Sequence, residues 1–307
     1  VSESVLGRTK CLEVLRFSTT MGCAMCIPKA EGLDPTVYFP DGALPDDIVH
    51  VTPDSSPELI EEFIDGLSAA FCGTDEVAPE GSTSWGYNCS EEYTQPLPKV
   101  ADDKDAFAAR MAFYKWSVKF SFVTMARHGG CFALKDSDGK MVAFVMTTPP
   151  SDNRALHHQG MCEFMWVTGQ LDSMPAAYTT GESAARLDLL MNTMNKAHDT
   201  NIKGSDGTKR RHIYIGYIGT LPTAQGKGHG KKLITYMTAA ADHHQVPIHL
   251  ESAGTRMERF WKKNDFEVKE HLPMTYSGTK DGEKQEISFQ PDGLPGLSSC
   301  FREPKKP

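Results

Sequence analysis

No stretch of this chain is apolar for long enough to cross a bilayer, and none near its start has the hydrophobic segment of a secretory signal. Both absences point to an intracellular, cytoplasmic protein. Positive charge is also short: 32 Lys and Arg against 40 Asp and Glu leave a net charge of -8. That balance excludes broad, sequence-independent binding to nucleic acid, which needs a basic footprint. Cysteine is sparse, with eight scattered over 307 residues, too few for a disulfide scaffold and suited to reduced, mostly structural thiols. Cys23 and Cys26 form one C-x-x-C, but a zinc site needs a second ligand pair at suitable spacing and none is close by, so no metal site is expected. A redox or zinc role for that pair remains a minor alternative. Internal repeats and low-complexity segments are lacking as well.

What is present is enough length and apolar content, 39%, to bury a large core. Residues 1–45 show no sustained periodicity and predict an extended arm, a surface for a protein partner. The chain begins at Val1, which fits removal of a leader and makes an organelle matrix or stroma compatible with this reading. Asp47–Pro53 alternates like a strand. Pro57 then opens a helix with Leu59, Ile60, Phe63, Ile64, Leu67 and Phe71 on one face. A second helix, roughly Lys104 to Arg127, is apolar on most sides, as expected of a helix that is buried or lines a pocket. Cys131–Met146 predicts a hairpin around Asp138-Gly139, Cys162–Val167 a short strand, and Glu182–His198 a helix with Leu187, Leu190, Met191 and Met194 inward. Strands follow at Ile213–Thr220 and Val246–Ser252, with an amphipathic helix between them burying Leu233, Ile234, Met237 and Ala241. A short helix carries Met257, Phe260 and Trp261, and closing strands are expected around 266–276 and 286–290.

The segment TLPTAQGKGHGKKL, Thr220 to Leu233, carries the chemistry. Gly226, Gly228 and Gly230 alternate with Lys227, His229 and Lys231 at the start of a helix. Glycine lets a backbone approach a ligand closely, and a helix start offers unpaired N–H groups and partial positive charge, so the loop is built for a phosphate. The spacing excludes a P-loop, because Gln225 stands where its first glycine belongs and Lys232 where its Ser or Thr belongs. It also excludes the dinucleotide fingerprint, since the third glycine falls on Lys231 or Leu233.

The spacing Q-x-x-G-x-G, met by Gln225, Gly228 and Gly230, resembles the acetyl-CoA-binding motif of the GNAT superfamily of N-acetyltransferases. HLESAGTRMERFWKKNDFEV, from His249 to Val268, resembles that superfamily's next strand and helix, which end in Tyr-x-x-x-Gly-Phe. The extra helix near 182–198 is similar to an insertion of eukaryotic, notably fungal, members. The resemblance runs in order over about 46–290, with an insertion at about 150–210 and a tail at 291–307, and is specific over 213–268. It implies an α/β (α+β) acyl-CoA N-acyltransferase fold with a mixed, mostly antiparallel sheet flanked by helices. It also implies acetyl-CoA as cosubstrate, the pyrophosphate on the backbone of Gly226, Lys227, Gly228, His229, Gly230 and Lys231 with Gln225 as a further cofactor-binding residue of the motif, and the pantetheine arm along Ile218, Gly219 and Thr220.

The implied reaction is direct attack of a primary amine on the thioester. Trp261 occupies the position of the superfamily's tyrosine acid, and Asp265 that of the pattern's glycine. Tyr214 occupies the position of its glutamate base, leaving Glu251, His249 or a water chain for that role. Between Asp54 and Asp105 thirteen Asp or Glu stand against two Lys, an acidic rim suited to a cationic amine such as a polyamine, an arylalkylamine or a lysine side chain. The alternative function is a catalytically weak subunit of the same fold, structural or acyl-CoA-sensing within a larger complex.

Overall fold

The computed structural model describes residues 37–39, 44–72, 104–150, 181–290, 294 and 296–306. The expected strand at 162–167, the polar loop at 73–100, most of the N-terminal arm and the Cys23–Cys26 pair lie outside these residues. In chain order the elements are β1 (Ile48–His50), α1 (Pro57–Cys72), α2 (Lys104–Met125), β2 (Cys131–Lys135), β3 (Met141–Thr147), α3 (Gly181–Asn201), β4 (Ile213–Thr220), α4 (His229–His244), β5 (Ile248–Ala253), α5 (Thr255–Lys262), β6 (Glu267–Leu272), β7 (Thr275–Lys280), β8 (Glu283–Ser288) and β9 (Leu297–Arg302). Seven strands form the central sheet in the order β1-β2-β3-β4-β5-β9-β6, antiparallel throughout except where β4 and β5 run parallel.

Both faces of the sheet are covered, which explains why its central strands are apolar at successive positions rather than at alternate ones. Side chains of β2, β3 and β4 nevertheless part with period two. Ala133, Phe144, Met146 and Tyr214 join α1, α2 and α3 in one cluster. Phe132, Leu134, Val145, Ile213 and Ile215 join α4 and Trp261 of α5 in the other. Part of the arm packs on this second face: Tyr38 and Phe39 are buried, with ring centroids 5.0 and 5.3 Å from Phe132.

Two expectations need correction. Residues expected as a C-terminal tail include β9, which pairs along the whole of β5 and most of β6 and so lies inside the sheet. The strand expected at 286–290 does not close the central sheet; β7 and β8 make a separate two-stranded sheet. That hairpin straps α3, with the Glu182 carboxylate accepting from the Thr279 N–H at 2.9 Å and Arg186 donating to the Tyr276 hydroxyl at 2.8 Å.

The seat of α1 on the sheet depends on Gly219. A Cβ there would lie 2.7 Å from the Cβ of Ala70 and 3.3 Å from the Phe71 ring. Neither Cβ can rotate away, so helix or strand would have to shift. Gly219→Ala is expected to destabilise the fold by roughly 1–3 kcal/mol, measured as a drop in the urea midpoint at unchanged slope.

Candidate active site

Two rungs, Ile213↔Ile248 and Tyr214↔His249, are the whole of the β4–β5 pairing. Beyond them β5 stays with β9 out to Ala253, while β4 stays with β3 out to Thr220. The β3–β4 register slips between Met146 and Thr147, opposite Ile215, at the level where the parting begins. A bulge bends its strand, and this one supplies a local cause for the divergence. Along β4 the residues change from buried at Ile213–Ile215 to half-buried from Gly216 onward. Main-chain groups on the β5 side of that segment therefore lack a strand partner.

A cavity of about 400 Å³ fills the gap. Tyr214, Ile215, Tyr217 and Ile218 line it from β4, and Glu251 and Ser252 from β5. Its far wall is aromatic and soft, with Phe113, Trp116 and Phe120 from α2 and Met191 and Met194 from α3. Phe71 stacks on Tyr114 at 5.5 Å and meets Tyr217 edge-on at 5.9 Å. The Tyr217 hydroxyl shares a hydrogen bond with Ser117 Oγ at 2.9 Å. Asp188, exposed on α3, lines the same cavity.

Beyond β4, a short 3-10 turn at Pro222–Ala224 leads into the glycine loop. Gly226 and Gly228 have φ of 79° and 88°, which glycine adopts without strain, and a Cβ at either would point into open space. Gly228 caps α4 with no side-chain hydrogen bond, and the next bond of the helix runs from the Lys232 N–H to the Gly228 carbonyl at 3.0 Å. The first-turn N–H groups, through Lys231, thus remain for a ligand. Lys227 and His229 line a second recess, of about 450 Å³, with Lys135, Lys232 and Asp47. Gln225 is a brace: its amide donates to the Thr220 carbonyl at 3.3 Å and its oxygen accepts from Arg256 at 3.0 Å. Gly230 lies under Thr220, whose Oγ1 would sit 3.1 Å from an added Cβ.

At the point of parting stands Glu251. Its side chain is 2% exposed, and the Tyr214 hydroxyl donates to its Oε2 at 2.8 Å. Burial pushes the carboxyl up to about 8, against the downward pull of the Tyr214 hydrogen bond. His249, equally buried, is pushed down to about 3 by burial and by neighbouring His212. Trp261 lines the cavity but is packed edge-on between Phe260 and Phe266, and its buried Nε1 has no hydrogen-bond partner. An indole N–H can donate a hydrogen bond but supplies no proton, so Trp261 is a wall residue. Asp265 takes φ 66°, the left-handed conformation that the motif's glycine would otherwise supply.

The structure thus brings Tyr214, Glu251 and Trp261 around one cavity and places the loop residues at the start of α4. It also adds His198, which the sequence reading passed over. This α3 residue is fully buried, stacks on Tyr214 at 4.4 Å and on His249 at 5.1 Å, and shares a 2.7 Å hydrogen bond with His212. The signal was present: 198 continues the inward series 187, 191, 194 by one helical step. Of the acidic rim, Asp54, Glu58, Glu61, Glu62 and Asp65 are exposed or half-buried and the stretch from 73 to 103 is outside the described residues. Among the described residues no group of three or more His, Cys, Asp or Glu could hold a metal ion, and no helix is long and apolar enough to cross a membrane.

Residues 190–266, from the middle of α3 to the residue before β6, match the model of the acetyltransferase (GNAT) family. Among the curated proteins, none matches this chain. Solved structures similar to this chain include a histone acetyltransferase HPA2 and related acetyltransferase from Corynebacterium glutamicum, at 14% identity over 85% of this chain and 97% of that one, TM-score 0.41. The polyamine N-acetyltransferase of Drosophila melanogaster is 13% identical over 84% of this chain and 100% of that one, TM-score 0.43. Arylalkylamine N-acetyltransferase 2 of Aedes aegypti is 12% identical over 85% and 100%, TM-score 0.43. Likeness at this level assigns no substrate.

The raised Glu251 carboxyl carries a stability consequence. Its folded value lies above the ordinary 4.5, so its contribution is complete below about pH 4.5 and is lost as pH rises towards about 8. Relative to wild type, Glu251→Gln is expected to gain about 1.4 kcal/mol per pH unit across that window. Urea unfolding of both proteins at pH 5, 6.5 and 8 measures it, and a constant difference would contradict it.

Proposed function

We propose that this protein is an acetyl-CoA-dependent N-acetyltransferase whose acceptor is the primary amine of a small molecule with an apolar, aromatic body. The observation that carries the reading is the opening between β4 and β5, which joins an uncapped helix start at one end to a buried carboxylate at the other. Backbone N–H groups from Gly226 to Lys231 are placed to take the pyrophosphate. Main-chain groups of Ile218, Gly219 and Thr220 then receive the pantetheine arm, and unpaired β4 donors polarise the thioester carbonyl in the gap.

Glu251 is the proton acceptor in this reading. As a carboxylate it takes a proton from the attacking amine nitrogen; the new C–N bond replaces the C–S bond, and the departing thiolate recovers one proton. The products are the amide and the free thiol, and Glu251 ends each turnover as it began. Tyr214 holds the carboxylate in place. Because Glu251 is protonated below about 8, the chemical step accelerates as pH rises through that value.

The cavity supports the acceptor class. Phe113, Trp116, Phe120 and Tyr217 with Met191 and Met194 make apolar and π contact. Among the described residues, Glu251 and Asp188 are its carboxylates, one deep and one exposed. A linear polyamine offers little apolar surface to such a wall. A peptide main chain would bring polar groups with no partners there. Thiol release from acetyl-CoA is therefore expected to be fastest with a phenylalkyl amine, slower with a linear polyamine and slowest with a lysine peptide. Glu251→Gln is expected to lower the rate by about 10²–10⁴-fold and to remove its rise near pH 8. Equal rates in both proteins would overturn the assignment of the base.

A further inference from the structure

His249 is a buried titratable group that the mechanism above does not use. Its side chain is fully buried, and its Nδ1 lies 3.7 Å from Glu251 Oε1. Both of these atoms are buried, and neither has a hydrogen-bond partner. The other ring nitrogen, Nε2, is 3.0 Å from Ser299 Oγ on β9. Asn201, in the last turn of α3, donates from one amide nitrogen to Ser299 Oγ at 2.8 Å and to Glu270 Oε1 at 2.8 Å.

These contacts dictate a direction. An amide N–H can only donate, so Ser299 accepts from Asn201 and its own O–H is left for the remaining neighbour, His249 Nε2. With Nε2 accepting, the neutral ring carries its proton on Nδ1, the atom facing Glu251. While Glu251 is a neutral acid, its Oε1 attracts that N–H weakly and the pair stands apart. Once Glu251 ionises, Oε1 becomes a strong acceptor with a donor already aimed at it.

We propose that His249 is a positioning residue for Glu251, its Nδ1–H closing on the ionised carboxylate opposite the Tyr214 hydroxyl. The proposal rests on the reading of Glu251 as the base. It links helix α3 to the chemistry through Asn201 and Ser299, which set the histidine tautomer. The other titratable groups around the pair are His198 on α3, stacked on the His249 ring, and His212 beyond it. Cys300 on β9 is pushed up to about 12 by burial and stays a thiol. Glu258 on α5 is held by Ser298 and His271, and Asp188 lines the cavity from α3.

The test is the pH profile of kcat/KM for acetyl-CoA turnover in wild type, His249→Phe, His249→Asn, Ser299→Ala and Glu251→Gln. His249→Phe keeps a stacking ring and removes the donor. Its midpoint is expected to move up by about one pH unit, the worth of one hydrogen bond to a charged group, with KM for acetyl-CoA unchanged. His249→Asn restores an N–H at the same place and is expected to return the midpoint towards wild type. Ser299→Ala leaves the ring in place but frees its tautomer, and is expected to shift the midpoint in the same direction by less. It serves as the deciding variant if His249→Phe does not fold. Folded His249→Phe and Ser299→Ala with unmoved midpoints, alongside a dead Glu251→Gln, would overturn the proposal and leave the base intact. An active Glu251→Gln with the wild-type profile would overturn the base and the proposal together.

Discussion

The constraint on which the site depends is the brevity of the β4–β5 pairing. Two parallel rungs hold these strands together, and then each follows a different antiparallel neighbour. A longer ladder would fill the gap with backbone hydrogen bonds and leave no room for a ligand. No pairing at all would let the sheet split in two. Stopping after Tyr214↔His249 leaves a wedge whose apex carries Glu251 and whose open end faces the glycine loop.

The remaining elements can be read as supports for that wedge. On one face α1 is seated against β4 by the absence of a side chain at Gly219, which fixes one wall. On the other, α4 packs Leu233, Ile234 and Met237 beneath the sheet, so its start is held rigidly at the end of β4. Helix α3 is clamped by the β7–β8 hairpin through Glu182 and Arg186, and it presents His198 to the Tyr214 and His249 rings. Burial then does chemical work. It holds His249 neutral and keeps Glu251 largely protonated near neutral pH, so the carboxylate that the proposed base requires forms only as pH rises towards about 8.

Much of this was legible in the sequence because its signals are local. The glycine spacing at 226, 228 and 230, the apolar β-branched and aromatic run of 213–220 and the period of 229–244 are each read from neighbouring residues, and the strand, loop and helix form where expected. The place of β9 was not legible. Its residues, Leu297 to Arg302, carry no motif, and their position between β5 and β6 depends on pairings across the sheet rather than on neighbours in the chain. The protonation of Glu251 was equally out of reach, since it follows from burial created by several distant segments. Trp261 shows the converse: the sequence revealed that the superfamily's tyrosine was missing, and the structure shows an indole packed between two phenylalanines in its place.

The central claim is that the loop from Gly226 to Lys231 and the β4–β5 wedge bind one acyl-CoA molecule. Calorimetric titration of the protein with acetyl-CoA, beside Gly228→Glu, tests it most directly. A Cβ at 228 points into open space at the ligand's expected position, so the variant places a carboxylate there without displacing any packed atom. One-to-one binding to the wild type and its loss in the variant are expected, with both proteins folded by circular dichroism. Failure of the folded wild type to bind, or equal affinity in the two proteins, would contradict it.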